Sequence, residues 1–357
     1  MKFSEIVEKL GNLVVTSSLG ANPGHNPEIN GVAAIDEAVE GTISYVEGGK
    51  FVSFIQTTAA SAVILANNAE IQNLATERGL AWVATREPRL AFAEAIAIFY
   101  QPWQPQPEIH PTAVIHETAK IGKNVHIGAY TVIQPHVEIG DNVCIHPHVV
   151  IYPHVKIGRG SLLHSHCTIH ERTQVGNHCV IHSGAVIGAE GFGFVPTPTG
   201  WMKMQQSGYT VLEDGVEIGC NTAIDRPAVG ETRIGKYTVI DNLVQVGHGC
   251  KTGNGCAIAG QAGMAGGVIL GNRVILGGQT GVSNQAKIGD GAIASAKAGV
   301  HNDIPPGEIV SGSPAIPYKK FLRVSAVLSR LPEMYQNLRE IQRQLKSNTN
   351  LPKESDK

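Results

Sequence analysis

The chain has 357 residues, 42% of them hydrophobic and 16% charged, with 41 glycines and a formal net charge of −2. That much glycine with so few charges excludes a protein dominated by long helices, and the near-neutral balance offers a nucleic acid no general basic surface. No apolar run approaches the ~20 residues of a membrane span, and none at the N-terminus has the form of a signal peptide, so a cytoplasmic protein is expected.

Residues 1–104 alternate helical patterns (FSEIVEKLG, AEIQNLATERG, RLAFAEAIAIFY) with short apolar runs (SAVILA, AWVAT), which predicts a small α/β domain. The proline-rich segment QPWQPQPEIHP then leads into a different kind of sequence. From Ile109 an aliphatic residue heads every sixth position through Ile187, including Ile115, Ile121, Ile127, Ile133, Ile145, Leu163, Val175 and Ile181. The fifth position of each hexad is small or β-branched, as at Val125, Val137, Val149, Cys167 and Cys179.

Such a period marks a solenoid of short strands and tight corners. Three hexads, eighteen residues, complete one coil of a triangular prism, the left-handed parallel β-helix of hexapeptide-repeat proteins. This architecture departs from the usual right-handed parallel crossover. The expected coil spans 105–312, with the phase lost over about 191–212 in a Gly-, Pro- and aromatic-rich insertion and again within AVGETR. Later heads fall at Ile218, Ile224, Ile234, Ile240, Val246, Ile258, Met264, Leu270, Leu276, Val282 and Ile288.

Residues 313–346 are expected to form helices, separated or kinked at Pro332. They carry Lys319, Lys320, Arg323, Arg330, Arg339, Arg343 and Lys346 against Glu333 and Glu340. Two readings of that excess stand open, an acidic partner and a solvated basic face. The polar remainder, 347–357, is expected to be a disordered tail.

The six cysteines include no CxxC pair, and Cys167, Cys179, Cys250 and Cys256 fall at inward fifth positions, so reduced core residues are expected. Histidines recur at the coil period, His146 with His164 and His182, His148 with His166, and His136 with His154. Stacked imidazoles ~4.8 Å apart raise the alternative of an interfacial zinc site. These positions point outward, however, and no carboxylate and glutamine set accompanies them, so no metal is expected.

His248, in IDNLVQVGHG, is the third residue of its hexad, and Gly266 in GMAGG follows one coil later. Equivalent positions on successive coils lie side by side, so the histidine faces a backbone N–H with no side chain in the way. A general base beside such a donor is the minimum equipment for acyl transfer to an incoming nucleophile.

GAEGFGF, VEIGCNTAIDR, IDNLVQVGHG and AIAGQAGMAGGV, in this order and spacing, resemble the UDP-3-O-(3-hydroxyacyl)glucosamine N-acyltransferases of lipid A biosynthesis over nearly the whole chain. The resemblance implies a homotrimer with active sites between subunits. It also implies transfer of a 3-hydroxyacyl chain from acyl carrier protein to the 2-amine of a UDP-3-O-acylglucosamine. No cofactor is bound in such a reaction, because 4′-phosphopantetheine arrives on the carrier protein.

Carried over residue by residue, the catalytic base matches His248 and the oxyanion glycine Gly266. Asp241 stands as a supporting charge or a corner hydrogen bond. Tyr45 and Phe51, in TISYVEGGKF, match aromatic residues that grip uracil, making residues 1–104 a uridine-nucleotide-binding domain. Gly48 replaces an asparagine common in the family. Gln285 replaces a second histidine, retaining hydrogen bonding but no charge, and is read as a substrate-positioning residue. Gly299 stands where some relatives carry a bulky residue at the end of the acyl groove. Two other functions remain: a sister acyltransferase using acyl-CoA or another nucleotide sugar, and a zinc hydratase that a chelator would inactivate.

Overall fold

A computed structural model describes residues 1–312 and 318–348. The chain divides into two compact units, Met1–Gln104 and a second beginning at Pro105. In the first, parallel strands Gly31–Val32, Thr42–Val46, Ala62–Ala66 and Ala81–Thr85 form a sheet. Val14–Ser17 adds an antiparallel edge. Helices Phe3–Leu10, Ala69–Glu77 and Pro88–Phe99 cover it, and both central strands, AVILA and AWVAT, are buried almost throughout, as a sheet covered on both faces requires.

The second unit is a left-handed parallel β-helix whose strands stack into three sheets of ten, nine and ten. The first face opens with Val114–Ile115, the second with Lys120–Ile121 and the third with His126–Ile127. Each strand pairs with its equivalent one coil away, so Ile133 lies beside Ile151 and Ile151 beside Ile169. Hexad heads and fifth positions form one continuous core, including Ile145, Val149, Ile151, Cys167, Ile181, Val246 and Leu276. Fully burying such a side chain is worth roughly 1.5–3 kcal/mol, which is why two-residue strands suffice when stacked.

The fourth hexad position turns the corner in left-handed backbone. Among the described residues seventeen non-glycine positions have positive φ, all of them here, including His136, His148, His154, His166 and Gln285. The histidine ladders follow from this register: the His148–His166 and His136–His154 rings stack with centroids 4.9 Å apart. On the third face His146, His164 and His182 stack likewise, and His182 Nε2 lies 2.8 Å from Glu217. Parallel rings direct their nitrogens sideways rather than toward a shared point. Among the described residues no group of three or more His, Cys, Asp or Glu side chains is arranged to hold a metal.

The excursion from the coil is shorter than the loss of hexad phase suggests. Tyr209–Leu212 already lies in the second face, with Val175 beside Leu212, so only residues 191–208 stand outside the coil and not 191–212. Within them Phe194–Thr197 and Gly200–Lys203 pair as an antiparallel hairpin. All six cysteines are free, and burial pushes the thiols of Cys167 and Cys250 up to about 12 and about 11, leaving them inert at neutral pH. Helices Tyr318–Leu328 and Leu331–Asn348 follow, Pro332 standing in the first turn of the second, where its missing N–H costs least. Residues 313–317, and the 349–357 part of the tail expected to be disordered, lie outside the described residues. Among those described, no helix is long and apolar enough to cross a membrane.

Candidate active site

His248 and Gly266 lie at the corner between the first and second faces. The strands before them, Gln245–Val246 and Gly263–Met264, pair in register. The corner is drawn together by Gly267 N donating to His248 O (2.9 Å) and Gln285 N donating to Gly266 O (3.0 Å). Among the described residues no hydrogen bond uses the Gly266 N–H. The half-buried imidazole lies against Gly266, since a β-carbon placed there would fall 2.5 Å from His248 Cε1 and 2.6 Å from Nε2. A ring with two protonatable nitrogens thus packs on the bare α-carbon of a residue with an unused backbone donor, on a surface that only glycine leaves open.

Asp225 joins them from the preceding coil, where Ile224 pairs with Val246. Burial pushes its carboxyl up, opposed by a 2.9 Å hydrogen bond from Gln245 Nε2 and by the charge of His248. This carboxylate, not Asp241, is the acidic neighbour of the histidine. Asp241 occupies the corner between the third and first faces, where its oxygens accept from Asn242 N (2.7 Å) and Gly260 N (2.9 Å). It is a corner brace. Asp225 is hidden in the sequence because AVGETR inserts four residues between it and the histidine's strand, which takes its alignment with Gly247 out of the eighteen-residue period.

Gln285 is exposed and lies one coil beyond Gly267, its Cγ 3.3 Å from a β-carbon placed there. Gly299 ends a column on the first face in which Gln245, Gly263, Gly281 and Gly299 pair laterally. The nearer wall is the insertion: a β-carbon on Gly191 would come within 2.5 Å of His248 Cβ.

In the N-terminal unit Tyr45 lies in the strand Thr42–Val46 and stacks on Phe92 at 4.7 Å. Phe51 is exposed in the segment Gly49–Gln56, with Lys50 Nζ 5.2 Å from its ring centroid. Both lie at or beyond the carboxyl end of a parallel strand, the edge at which open α/β sheets bind ligands. Gly48, between them, has φ 144° and ψ −163°, a region open essentially to glycine alone. The exchange of asparagine for glycine here therefore changes the backbone as well as a polar contact.

Coil and site together define a hexapeptide-repeat acyltransferase. The bacterial transferase hexapeptide profile matches residues 118–153 and 154–189, and the profile for UDP-3-O-(3-hydroxymyristoyl) glucosamine N-acyltransferase, LpxD, matches residues 26–98. The UDP-3-O-acylglucosamine N-acyltransferase of Nostoc punctiforme is 67% identical over 347 residues, covering 97% of this chain and 99% of its own. That of Rippkaea orientalis is 65% identical over 345 residues, covering 97% and 99%. The chain belongs to the UDP-3-O-acylglucosamine N-acyltransferase family. In fold alone it is also similar to Arabidopsis UDP-N-acetylglucosamine acyltransferase, with a TM-score of 0.54 at 23% identity over 70% of this chain and 86% of that one.

Proposed function

We propose that the protein transfers a (3R)-3-hydroxyacyl chain from acyl carrier protein to the 2-amine of UDP-3-O-acylglucosamine, giving a UDP-2,3-diacylglucosamine for lipid A. The observation that carries this reading is the His248 imidazole packed on the bare α-carbon of Gly266, whose N–H no hydrogen bond uses among the described residues. His248 takes the proton from the attacking amine. The thioester carbonyl becomes tetrahedral, and the Gly266 amide receives its oxyanion. Collapse expels the phosphopantetheine thiol, to which protonated His248 returns the proton. Asp225 stabilises the imidazolium between these steps. No cofactor takes part, since the pantetheine belongs to the incoming donor.

Gln285 orients the sugar nucleotide by hydrogen bonding, while Tyr45 and Phe51 supply flat faces for uracil. The glycine column ending at Gly299 offers the acyl chain a bare track. A homotrimer in the cytoplasm is part of the same reading. Its support is the third face, where Val239, Ala257 and Ile275 stack beside Asp241 along a groove of about 620 Å³ and leave Val239 47% and Ile275 43% exposed. A second copy is the occupant that such an apolar face suits.

Mass spectrometry of the product tests the chemistry. Purified protein, hydroxyacyl carrier proteins of several lengths and UDP-3-O-acylglucosamine should give an N-acylated product that His248→Ala does not form. If no donor yields product, the reading fails. A product made from acyl-CoA alone would move the protein to a sister activity.

A further inference from the structure

The mechanism leaves unused one ion cluster, centred on a buried arginine, that reaches His248 through Gly191. Arg226 is 6% exposed, and its guanidinium holds four groups from three parts of the chain. Nε donates to Gln206 O (2.9 Å) near the end of the 191–208 excursion, and Nη1 to Gly188 O (3.3 Å) just before it begins. Nη1 also lies 2.7 Å from Glu171 Oε2, two coils back, and Nη2 lies 3.5 Å from Glu190 Oε1 on the outgoing leg. Glu190 is paired in addition with Lys203 on the returning strand. The Arg226 carbonyl accepts from Gly191 N (3.1 Å), completing the set.

The partners fix what this cluster does. One guanidinium fork joins both legs of the hairpin to the coil wall, a task for a planar group with five donors and not for a point charge. Its carbonyl draws down Gly191, whose α-carbon is packed so closely on His248 that no β-carbon fits between them. The hairpin base therefore packs on the His248 β-carbon, and Gly266 on the ring.

We propose that Arg226 is a positioning residue: it clamps the base of the 191–208 hairpin and, through Gly191, holds the His248 ring against Gly266 in the geometry acyl transfer needs. This rests on the acyl-transfer reading above. Arg226 acts through His248 and does not touch the reacting atoms.

The test compares the full-length wild type with Arg226→Met, which keeps bulk without charge, and Arg226→Lys, which keeps charge without the fork. The readouts are kcat, KM for both substrates, and hydrogen exchange of the 190–206 peptide against coil peptides from 115–187 as internal reference. Arg226→Met should lower kcat by roughly 100-fold, the scale of a 1 Å misplacement of a catalytic group, with KM little changed. The hairpin should exchange faster while the reference coils do not. Arg226→Lys should lie between the two on both readouts, and it carries the test if the Met variant does not fold.

Faster hairpin exchange with an unchanged kcat would overturn the proposal, as would a fall in kcat without any change in the hairpin. A wild type that makes no product fails the acyl-transfer reading and this role with it. An active wild type, an inactive His248→Ala and an undiminished Arg226→Met fail the clamp alone.

Discussion

Gly266 has no room for even one more carbon, because the His248 ring occupies the place a β-carbon would take. Gly266→Ala must therefore push the imidazole away from the amide while leaving the buried head Met264 and fifth-position Val268 untouched. The expected outcome is a kcat lower by about 10²–10³, the usual cost of losing one oxyanion donor, with the unfolding midpoint close to wild type. Steady-state kinetics beside a thermal melt would show it, and normal turnover in a folded variant would remove Gly266 from the mechanism. His248 and Gly266 were readable from sequence because eighteen residues separate them and eighteen residues make a coil. Asp225 was not, since Ile224 pairs with Val246 across twenty-two residues. Asp241 lies only seven residues before the histidine, yet seven residues carry the chain past a corner to another edge of the prism.

The histidine ladders are elements of the coil, and their stacking has a cost that depends on pH. Burial lowers the pKa of His146, His164 and His170 below the ordinary 6.5, and neighbouring imidazoles lower His146 and His164 further. A folded-state pKa below the unfolded one contributes stability that is full above pH 6.5. It is lost as pH falls through the folded value, because the unfolded chain then binds more protons. The melting temperature should hold steady above about pH 7 and fall toward about pH 5, and His164→Gln should flatten that slope by removing the middle ring. Melts of the two proteins across this range decide the matter, and identical slopes would mean that the ladder does not set the acid sensitivity. The hexad period foretold these stacks and their spacing. It gave no sign of the hairpin, whose pairing of Phe194 with Lys203 and Pro196 with Trp201 rests on local strand geometry outside the repeat.

A solenoid has the property that a substitution at one outward position moves a feature along the axis by a whole coil, and the first face makes this testable. Gly263, Gly281 and Gly299 stand side by side on successive coils, starting from the coil that carries Gly266. A β-carbon at Gly263 or Gly281 would meet nothing within 4 Å, and one at Gly299 only His301 Nε2 at 3.6 Å. Leucine at any of them therefore fills open surface without straining the core, and each step is one strand spacing, ~4.8 Å, farther from the oxyanion donor. If the donor chain lies along this track, Gly299→Leu should disfavour only the longest hydroxyacyl carrier proteins. Gly281→Leu should move the preference to shorter ones, and Gly263→Leu should lower turnover of all but the shortest. Competition among donors of several lengths, read as the ratio of N-acylated products, reports the order directly. A preference that moves equally for all three variants, or for none, would place the chain elsewhere, because only a ligand running parallel to the axis responds in proportion to the coil that is blocked.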